Sequence, residues 1–349
     1  MRVCMANDHF YRSSGAAIAI KRIAQALPDG DYYVAGCDNK GYPEDLSWIP
    51  AKRYKRFDLT SSNPIRVLSE LINFRQWFTE RQCDLVHCHH RRVSVLLQAA
   101  GIPVLYTGQL VFPNALWFRW FHPRRMTAIT PSVAANLLET TGRRPLACIS
   151  NPVQFPEALP QIDVDRVRCR AVCIARLEAI KGHRNLLAAW KLLYDRGHKY
   201  QLDLIGEGSL RMELEAQVKR DEIQELVRFH GFTPDTEDAL KDSLFAVLVS
   251  EWEGQGIVTL EAAASGRPTL LTAVPGSIDV LPPQRRLRNG LEFGNIRHLA
   301  DTLEEWFANP ERVVEEGRNF FHFLRTASDP AAVANKYKNV YRKILEGSV

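Results

Sequence analysis

The chain has 349 residues, 46% hydrophobic and 24% charged, a globular composition that excludes a disordered tail, a collagen and a coiled coil. That length allows two domains with buried cores. Net charge is +5 but uneven: residues 1–155 hold 19 Lys and Arg against 11 Asp and Glu, a net of +8 that leaves −3 for the remainder. A basic first half suits phosphates, an anionic membrane surface or nucleic acid, and equally an ordinary solvated surface.

The longest purely apolar run, Leu244–Val249, falls far short of the ~20 residues of a membrane-spanning helix. The opening MRVCMANDHF is polar at Asn7, Asp8 and His9, where a signal peptide would be apolar, so the expected location is cytoplasmic. Seven cysteines at scattered positions read as reduced thiols. CDLVHCHH, Cys83–His90, resembles a metal-ligand cluster, but strand alternation puts His87 and His89 on one face and Cys88 and His90 on the other. No second pair with zinc spacing follows, and no metal site is expected.

In chain order, strands are expected at Arg2–Ala6, Asp31–Gly36, Asp84–His89, Pro103–Thr107, Thr127–Thr130 and Leu146–Ser150. Helical spacing covers Ala16–Leu27, Pro64–Arg81, Arg91–Ala100 and Val133–Thr140, the last capped by Ser132. Three prolines, Pro152, Pro156 and Pro160, mark a boundary near residue 155. Beyond it, strands are expected at Arg170–Ala175, Gln201–Gly206, Val227–His230, Phe245–Ser250 and Pro268–Thr272. Helices are expected at His183–Arg196, Ser209–Arg220, Thr236–Asp242, Ile257–Ser265, Ile296–Asn309, Pro310–Arg325 and Pro330–Leu345. Alternating strands and helices define an α/β chain of two Rossmann-like parallel-sheet domains, 1–155 and 156–329, expected to face each other across a ligand cleft.

Three stretches carry chemistry. The loop NDHFYRSSGAA lacks the G-x-G-x-x-G of a dinucleotide site, which argues against NAD or FAD. Its Ser13, Ser14 and Gly15 form a small-residue turn at a helix start, readable as an anion site or as a simple cap. ARLEAIKGH ends a strand with Arg176 and places Lys181 just before Gly182 opens a helix. Two cations there suit a diphosphate, although basic loops are commonly just solvated. SEWEGQGIVTLEAAASGRP is the most specific: Glu253 follows a buried strand, Gly254 and Gly256 permit close backbone approach, and Glu261 lies on the next helix. The two carboxylates could grip hydroxyls of a sugar and a ribose; the bland alternative is a capped helix with incidental acids.

These residues resemble the retaining glycosyltransferases of family four, which have the GT-B fold. Glu253 and Glu261 match that family's E-x7-E motif, and Arg176 and Lys181 its strand-end Arg and following Lys. IGEGSLR, Ile205–Arg211, resembles its Gly-acid-Gly turn, and FHGF, Phe229–Phe232, its base-side strand end. DLVHCHH, TPSVAANL and SNPV in the first half match more loosely.

The resemblance implies that Arg176 and Lys181 hold the donor diphosphate, Glu261 the ribose, and Glu253 the transferred sugar. The remaining donor residues would be Gly15, Gly206, Gly231, Phe232, Gly254, Gln255, Gly256 and Ile257. It also implies a nucleotide-sugar co-substrate (UDP- or GDP-linked), no metal and no other cofactor.

The sequence departs from the family at VLYTGQL, where many relatives carry a histidine. Gln109, His89 or His90 could replace it, with His89 as the catalytic candidate and Ser14, Gly15, His90 and Gln109 on the acceptor side. The terminal helix, 330–349, could pack back on the first domain.

LWFRWFHPRR, Leu116–Arg125, mixes aromatics and arginines, readable as a membrane surface, a polyanionic-glycan site or a core helix with a basic flank. The expected function is transfer of a sugar to a saccharide or lipid-linked saccharide in polysaccharide, lipopolysaccharide or glycolipid synthesis, possible at the inner membrane face. A GT-B nucleotide-sugar epimerase and a non-catalytic sugar-nucleotide-binding subunit are the alternatives. No nucleic-acid recognition motif is present, so no nucleic-acid partner is expected.

Overall fold

The computed structural model describes residues 1–11, 14–27, 32–38, 46–112, 116–233, 235–282 and 291–349; Ser13, Asp31 and the side chains of Leu116 and Trp117 lie outside the description. The chain forms two compact units, residues 1–152 with 330–349, and residues 153–329.

The first unit opens with β1 (Val3–Asn7), α1 (Gly15–Gln25), β2 (Tyr32–Gly36), β3 (Tyr54–Arg56), α2 (Pro64–Glu80) and β4 (Leu85–Cys88). It continues with α3 (Arg91–Ala99), β5 (Val104–Gly108), β6 (Arg125–Ala128) and α4 (Pro131–Thr141). The second unit runs α5 (Val164–Val167), β7 (Arg170–Ile174), α6 (His183–Asp195), β8 (Gln201–Ile205), α7 (Arg211–Arg220), β9 (Val227–Gly231) and α8 (Glu237–Lys241). Then come β10 (Phe245–Leu248), α9 (Ile257–Ala264), β11 (Thr269–Leu271), α10 (Ile296–Ala308) and α11 (Pro310–Ser328). The last helix, α12 (Pro330–Leu345), belongs to the first unit.

Both sheets are wholly parallel, in the order β3-β2-β1-β4-β5-β6 and β11-β10-β7-β8-β9. Parallel sheets are covered on both faces, so their central strands are apolar throughout rather than alternating with polar residues. In β1, Val3 and Met5 face a core completed by α1 and α12, while Cys4 and Ala6 face the other layer, with Phe74, Trp77 and Leu97. The α1 residues Ala17, Ile20, Ile23 and Ala24 recur at helical spacing and form its buried stripe. Val333, Tyr337, Val340, Tyr341 and Ile344 do the same for α12. In the second unit Ala171 and Cys173 join the core lined by Trp190 and Phe245, and Val172 turns to the opposite face with Ala246 and Ala262.

Two sequence expectations are corrected, and one strand was not foreseen. Leu146–Ser150 is not a strand; it lies beyond β6, pairs on one side only, and makes the single bridge Ala128–Cys148. The cap of α4 is Thr130, whose Oγ1 accepts from the Val133 N–H at 3.3 Å. Pro131 opens that helix, where its missing N–H costs nothing, so Ser132 is already inside it. The edge strand β3 escapes sequence reading because its Tyr-Lys-Arg has no apolar alternation, as suits a charged sheet edge.

Candidate functional site

Ligand crevices in parallel sheets form where the strand order reverses. In the second unit β8 and β9 extend from one side of β7, and the chain then returns to lay β10 on the other. The loops 175–182 and 249–256 therefore leave adjacent strand ends, and the Glu251 N–H donates to the Ile180 carbonyl at 2.8 Å. Gly182 (φ +70°) is the N-cap residue before α6, and a Cβ there would sit 2.1 Å from the Val249 carbonyl oxygen, so this approach requires glycine. Gly256, also at φ +70°, is the N-cap residue before α9. Neither helix start has a side-chain cap, so both present N–H groups and a positive dipole end here.

Lys181 and Glu253 meet at this crevice. Lys181 Nζ lies 2.6 Å from Glu253 Oε2, with both side chains largely buried. Ser250 Oγ donates to the same oxygen at 3.2 Å, and the Gly254 N–H donates to Oε1 at 3.3 Å. Gln255 is buried beside them, and Ile257 is the first residue of α9. Glu261 stands apart from the pair, in the second turn of α9, where its Oε2 accepts from Thr236 Oγ1 at 3.1 Å. Arg176 is exposed past the end of β7, and among the described residues no carboxylate lies within 4.0 Å of its guanidinium.

Gly206 follows β8. Its N–H donates to the Gly231 carbonyl at 2.8 Å, and a Cβ on it would lie 2.0 Å from the Ala175 carbonyl oxygen. Phe232 is exposed just beyond β9. His183, the first residue of α6, has its Nε2 3.7 Å from Cys173 Sγ; burial, then the Lys181 charge, pushes its pKa down to about 4.

One neighbour escaped the sequence reading. After β11, a Cβ at Gly276 would lie 2.4 Å from the Glu253 carbonyl oxygen, and the adjacent Ser277 is buried with no hydrogen-bond partner for its Oγ among the described residues. Pro275-Gly276-Ser277 after a strand was the available signal.

In the first unit the strand order reverses between β1 and β4. Here the polar groups form a buried chain. His87 Nδ1 is 2.7 Å from the Tyr341 hydroxyl, and its Nε2 is 2.6 Å from Thr107 Oγ1 and 3.1 Å from His89 Nε2. His89 Nδ1 is 2.9 Å from Gln109 Nε2, and Gln109 exchanges hydrogen bonds with Asn151 at 3.3 Å. Because the Gln109 amide donates, His89 Nδ1 accepts and its proton sits on Nε2, pointing at His87. His89 is 6% exposed and burial pushes its pKa down to about 3, so the ring is neutral. Gln109, only partly buried, is the end of this chain nearer solvent.

Ser14 caps α1, its Oγ accepting from the Ala17 N–H at 3.4 Å, and Gly15 is the helix's first residue. His90 caps α3: its Nδ1 accepts from the Val93 N–H at 3.3 Å, which leaves the proton on Nε2, 3.8 Å from Asp8 Oδ2. Asp8, missed as a site residue, also pairs with His9 at 2.8 Å. Burial would raise its carboxyl pKa, but the His9 hydrogen bond leads the effects that bring it below the usual value.

The cysteine-histidine run divides as alternation requires, His87 beside His89 and Cys88 in the opposite layer. Among the described residues no group of three or more His, Cys, Asp or Glu is placed to hold a metal ion. No helix among them is long and apolar enough to cross a membrane.

The geometry agrees with comparison to known proteins. Residues 168–309 match the family model described as glycosyl transferases group 1, and residues 13–155 match that of glycosyltransferase family 4. Together the matches take in most of the chain, which belongs to the glycosyltransferases of the GT-B fold.

Among curated proteins, it is 23% identical over 196 residues to a poly(ribitol-phosphate) alpha-N-acetylglucosaminyltransferase of Staphylococcus aureus (strain COL), covering 55% of this chain and 38% of that protein. The first curated relatives are thus matched over 38% of their own length. Among solved structures, Anabaena Alr3699/HepE in complex with UDP-glucose superposes with a TM-score of 0.81 at 17% identity, covering 98% of this chain and 100% of that one. The lipopolysaccharide outer core galactosyltransferase WaaB, in its apo form, superposes with a TM-score of 0.73 at 16% identity, covering 98% and 100%.

Proposed function

We propose that the protein transfers a sugar from a UDP- or GDP-linked donor to a hydroxyl of a saccharide or lipid-linked saccharide, with retention of anomeric configuration and without a metal. The observation that carries this reading is the Lys181–Glu253 pair beneath two uncapped helix starts at the strand-order reversal of the second unit. A diphosphate there would meet the N–H groups of α6 and α9, Lys181 and the exposed Arg176. Lys181 donates one proton to Glu253 and has two more to offer, so the ammonium can serve both the carboxylate and a phosphate oxygen.

In this reading Arg176 and Lys181 stabilise charge growing on the leaving diphosphate. Glu253 accepts from hydroxyls of the transferred sugar, and Glu261 from those of the ribose. Gly206, Gly231 and Phe232 border the base; Gly254, Gln255, Gly256 and Ile257 wrap the phosphates and sugar, and Gly15 is assigned to the donor as well. On the acceptor side Ser14, Gly15, His90 and Gln109 meet substrate. Gln109 is the group that contacts sugar, while His89, buried with both nitrogens engaged, orients it. The UDP-glucose held by a solved protein of the same fold supports the donor class. The poly(ribitol-phosphate) and lipopolysaccharide in the names of two similar proteins support a polysaccharide or lipopolysaccharide acceptor.

Thermal unfolding against a panel of UDP- and GDP-sugars tests the donor, since a ligand that prefers the native state raises Tm. A panel in which no nucleotide sugar raises Tm would overturn the donor reading. NMR of the anomeric proton in the product tests retention. Turnover of donor without any acceptor would favour an epimerase instead.

A further inference from the structure

Among the described residues the first unit carries an exposed apolar face. Helix α2 buries Val67, Phe74, Trp77 and Phe78 against its sheet. Ile65, Leu68 and Ile72, at spacings of three and four, share the opposite side, at 79%, 61% and 62% exposure. Trp120 and Phe121, in the loop before β6, are 79% and 63% exposed. Within the aromatic-basic stretch they differ from Phe118, which is core and stacks on Arg91.

Hydrogen bonds tie these two apolar elements to one side of the unit. Arg75, on the outer side of α2, donates to the Ala100 carbonyl at the end of α3 at 3.4 Å. Gln98 of α3 donates to the His122 carbonyl at 3.3 Å and accepts from the Arg124 N–H at 2.6 Å. The α3 end therefore bridges α2 to the 120–124 loop.

Charge identifies what covers this face. No Asp or Glu occurs between Asp84 and Glu139, an interval that holds Arg91, Arg92, Arg119, Arg124 and Arg125. All exposed, Arg75 lies on α2, Arg92 bonds the Thr60 and Ser61 carbonyls just before α2, and Arg119 and Arg124 flank Trp120 and Phe121 in the chain. The two acids of α2 are Glu70, which bonds the Asp58 N–H and Asn73, and Glu80, at the helix end, which bonds Gln76. Exposed aliphatic and aromatic side chains rimmed by cations match the interface of an anionic bilayer, with its apolar interior below its negative headgroups. A soluble polyanion would use the arginines and leave the isoleucines, leucine and tryptophan in water.

We propose that α2 and the 120–124 loop form a docking surface for an anionic lipid bilayer, with Ile65, Leu68, Ile72, Trp120 and Phe121 inserting at the headgroup level. The surface lies wholly in the first unit and does not depend on the donor site.

Co-sedimentation with phosphatidylcholine vesicles, with and without phosphatidylglycerol, tests it. The chain is expected to sediment with the anionic vesicles and to come off as salt rises. L68S/I72S and W120S/F121S should each lower partitioning by about tenfold through lost apolar burial. R119S/R124S should weaken binding to anionic vesicles only. These positions are exposed, so an unchanged urea midpoint is the folding control. Wild-type protein that ignores anionic vesicles, or double variants that sediment as wild type does, would overturn the proposal. So would a dimer, seen by sedimentation equilibrium, that L68S/I72S dissociates while vesicle binding stays unchanged; the face would then belong to a second copy. Titration of UDP-glucose with each variant reports separately on the donor site.

Discussion

The two units place their polar groups at the same point of the same topology and use them in opposite ways. At the reversal in the second unit the groups are charged: Lys181 against Glu253, Arg176 in solvent, and two uncapped helix starts. At the reversal in the first unit the main chain of contacts is neutral, running from Tyr341 through His87 and His89 to Gln109 and Asn151. Lys181 and Glu253 are already largely buried, so little of their desolvation remains to be met when a ligand recruits them. A buried neutral chain fixes geometry, because breaking any link strands an unpaired polar atom. The contrast suits one half built to hold an anion and another built to hold a direction.

The largest expected effect falls on the charged side. Lys181→Ala and Arg176→Ala are each expected to lower turnover by ~10²-fold or more, by analogy with loss of one charge-stabilising donor. Steady-state kinetics with the best donor checks this, and unchanged kcat in both variants would erase the contrast.

Acid should act most strongly on the neutral side. Burial lowers the pKa of His87 far below its ordinary value and that of His89 to about 3. An imidazole whose folded pKa is depressed binds fewer protons than its unfolded counterpart, so stability falls as pH drops below about 6.5. Each such histidine contributes a slope of ~1.4 kcal/mol per pH unit there, continuing toward its folded value. Urea unfolding at stepped pH measures it; stability that stays level from neutral pH into that window would contradict a neutral, buried pair.

Glu253→Gln separates the partners of the charged side. With the carboxylate gone, Lys181 keeps its full charge for phosphate, so UDP alone should bind a few-fold tighter, while sugar transfer falls. Calorimetry with UDP and kinetics with the UDP-sugar distinguish the two effects, and weaker UDP binding would count against Lys181 as the phosphate ligand. The smallest effect is structural: Thr130→Ala should cost about 1 kcal/mol, typical for a lost helix cap, and leave donor affinity unchanged.

Most of the fold was legible because its central strands are apolar without interruption and its helices carry clear stripes. Lys181 and Glu253 were also legible as loop residues, since each stands beside a glycine after a strand. What stayed hidden depended on partners distant in sequence. Nothing near Glu253 reveals that it is tied to Lys181, 72 residues away, and nothing near His87 reveals Tyr341, 254 residues on. Phe118 and Trp120 look alike in a string of aromatics, and only packing separates the core ring from the exposed one. Asp8 was read as ordinary polarity near the start of the chain; its importance comes from His90, brought beside it by the neighbouring strand.

The position of α12 has a consequence for synthesis. Its Val333, Tyr337 and Tyr341 complete a core whose other members include Val3, Ile20 and Leu85. A ribosome releases residues 153–329 before it makes this helix. During elongation the early sheet therefore waits with one oily flank bare while the later unit, continuous in sequence, can finish first. Nascent chains stopped before Pro330 should attract chaperones through that flank, and adding the missing helix as a separate peptide should shield it.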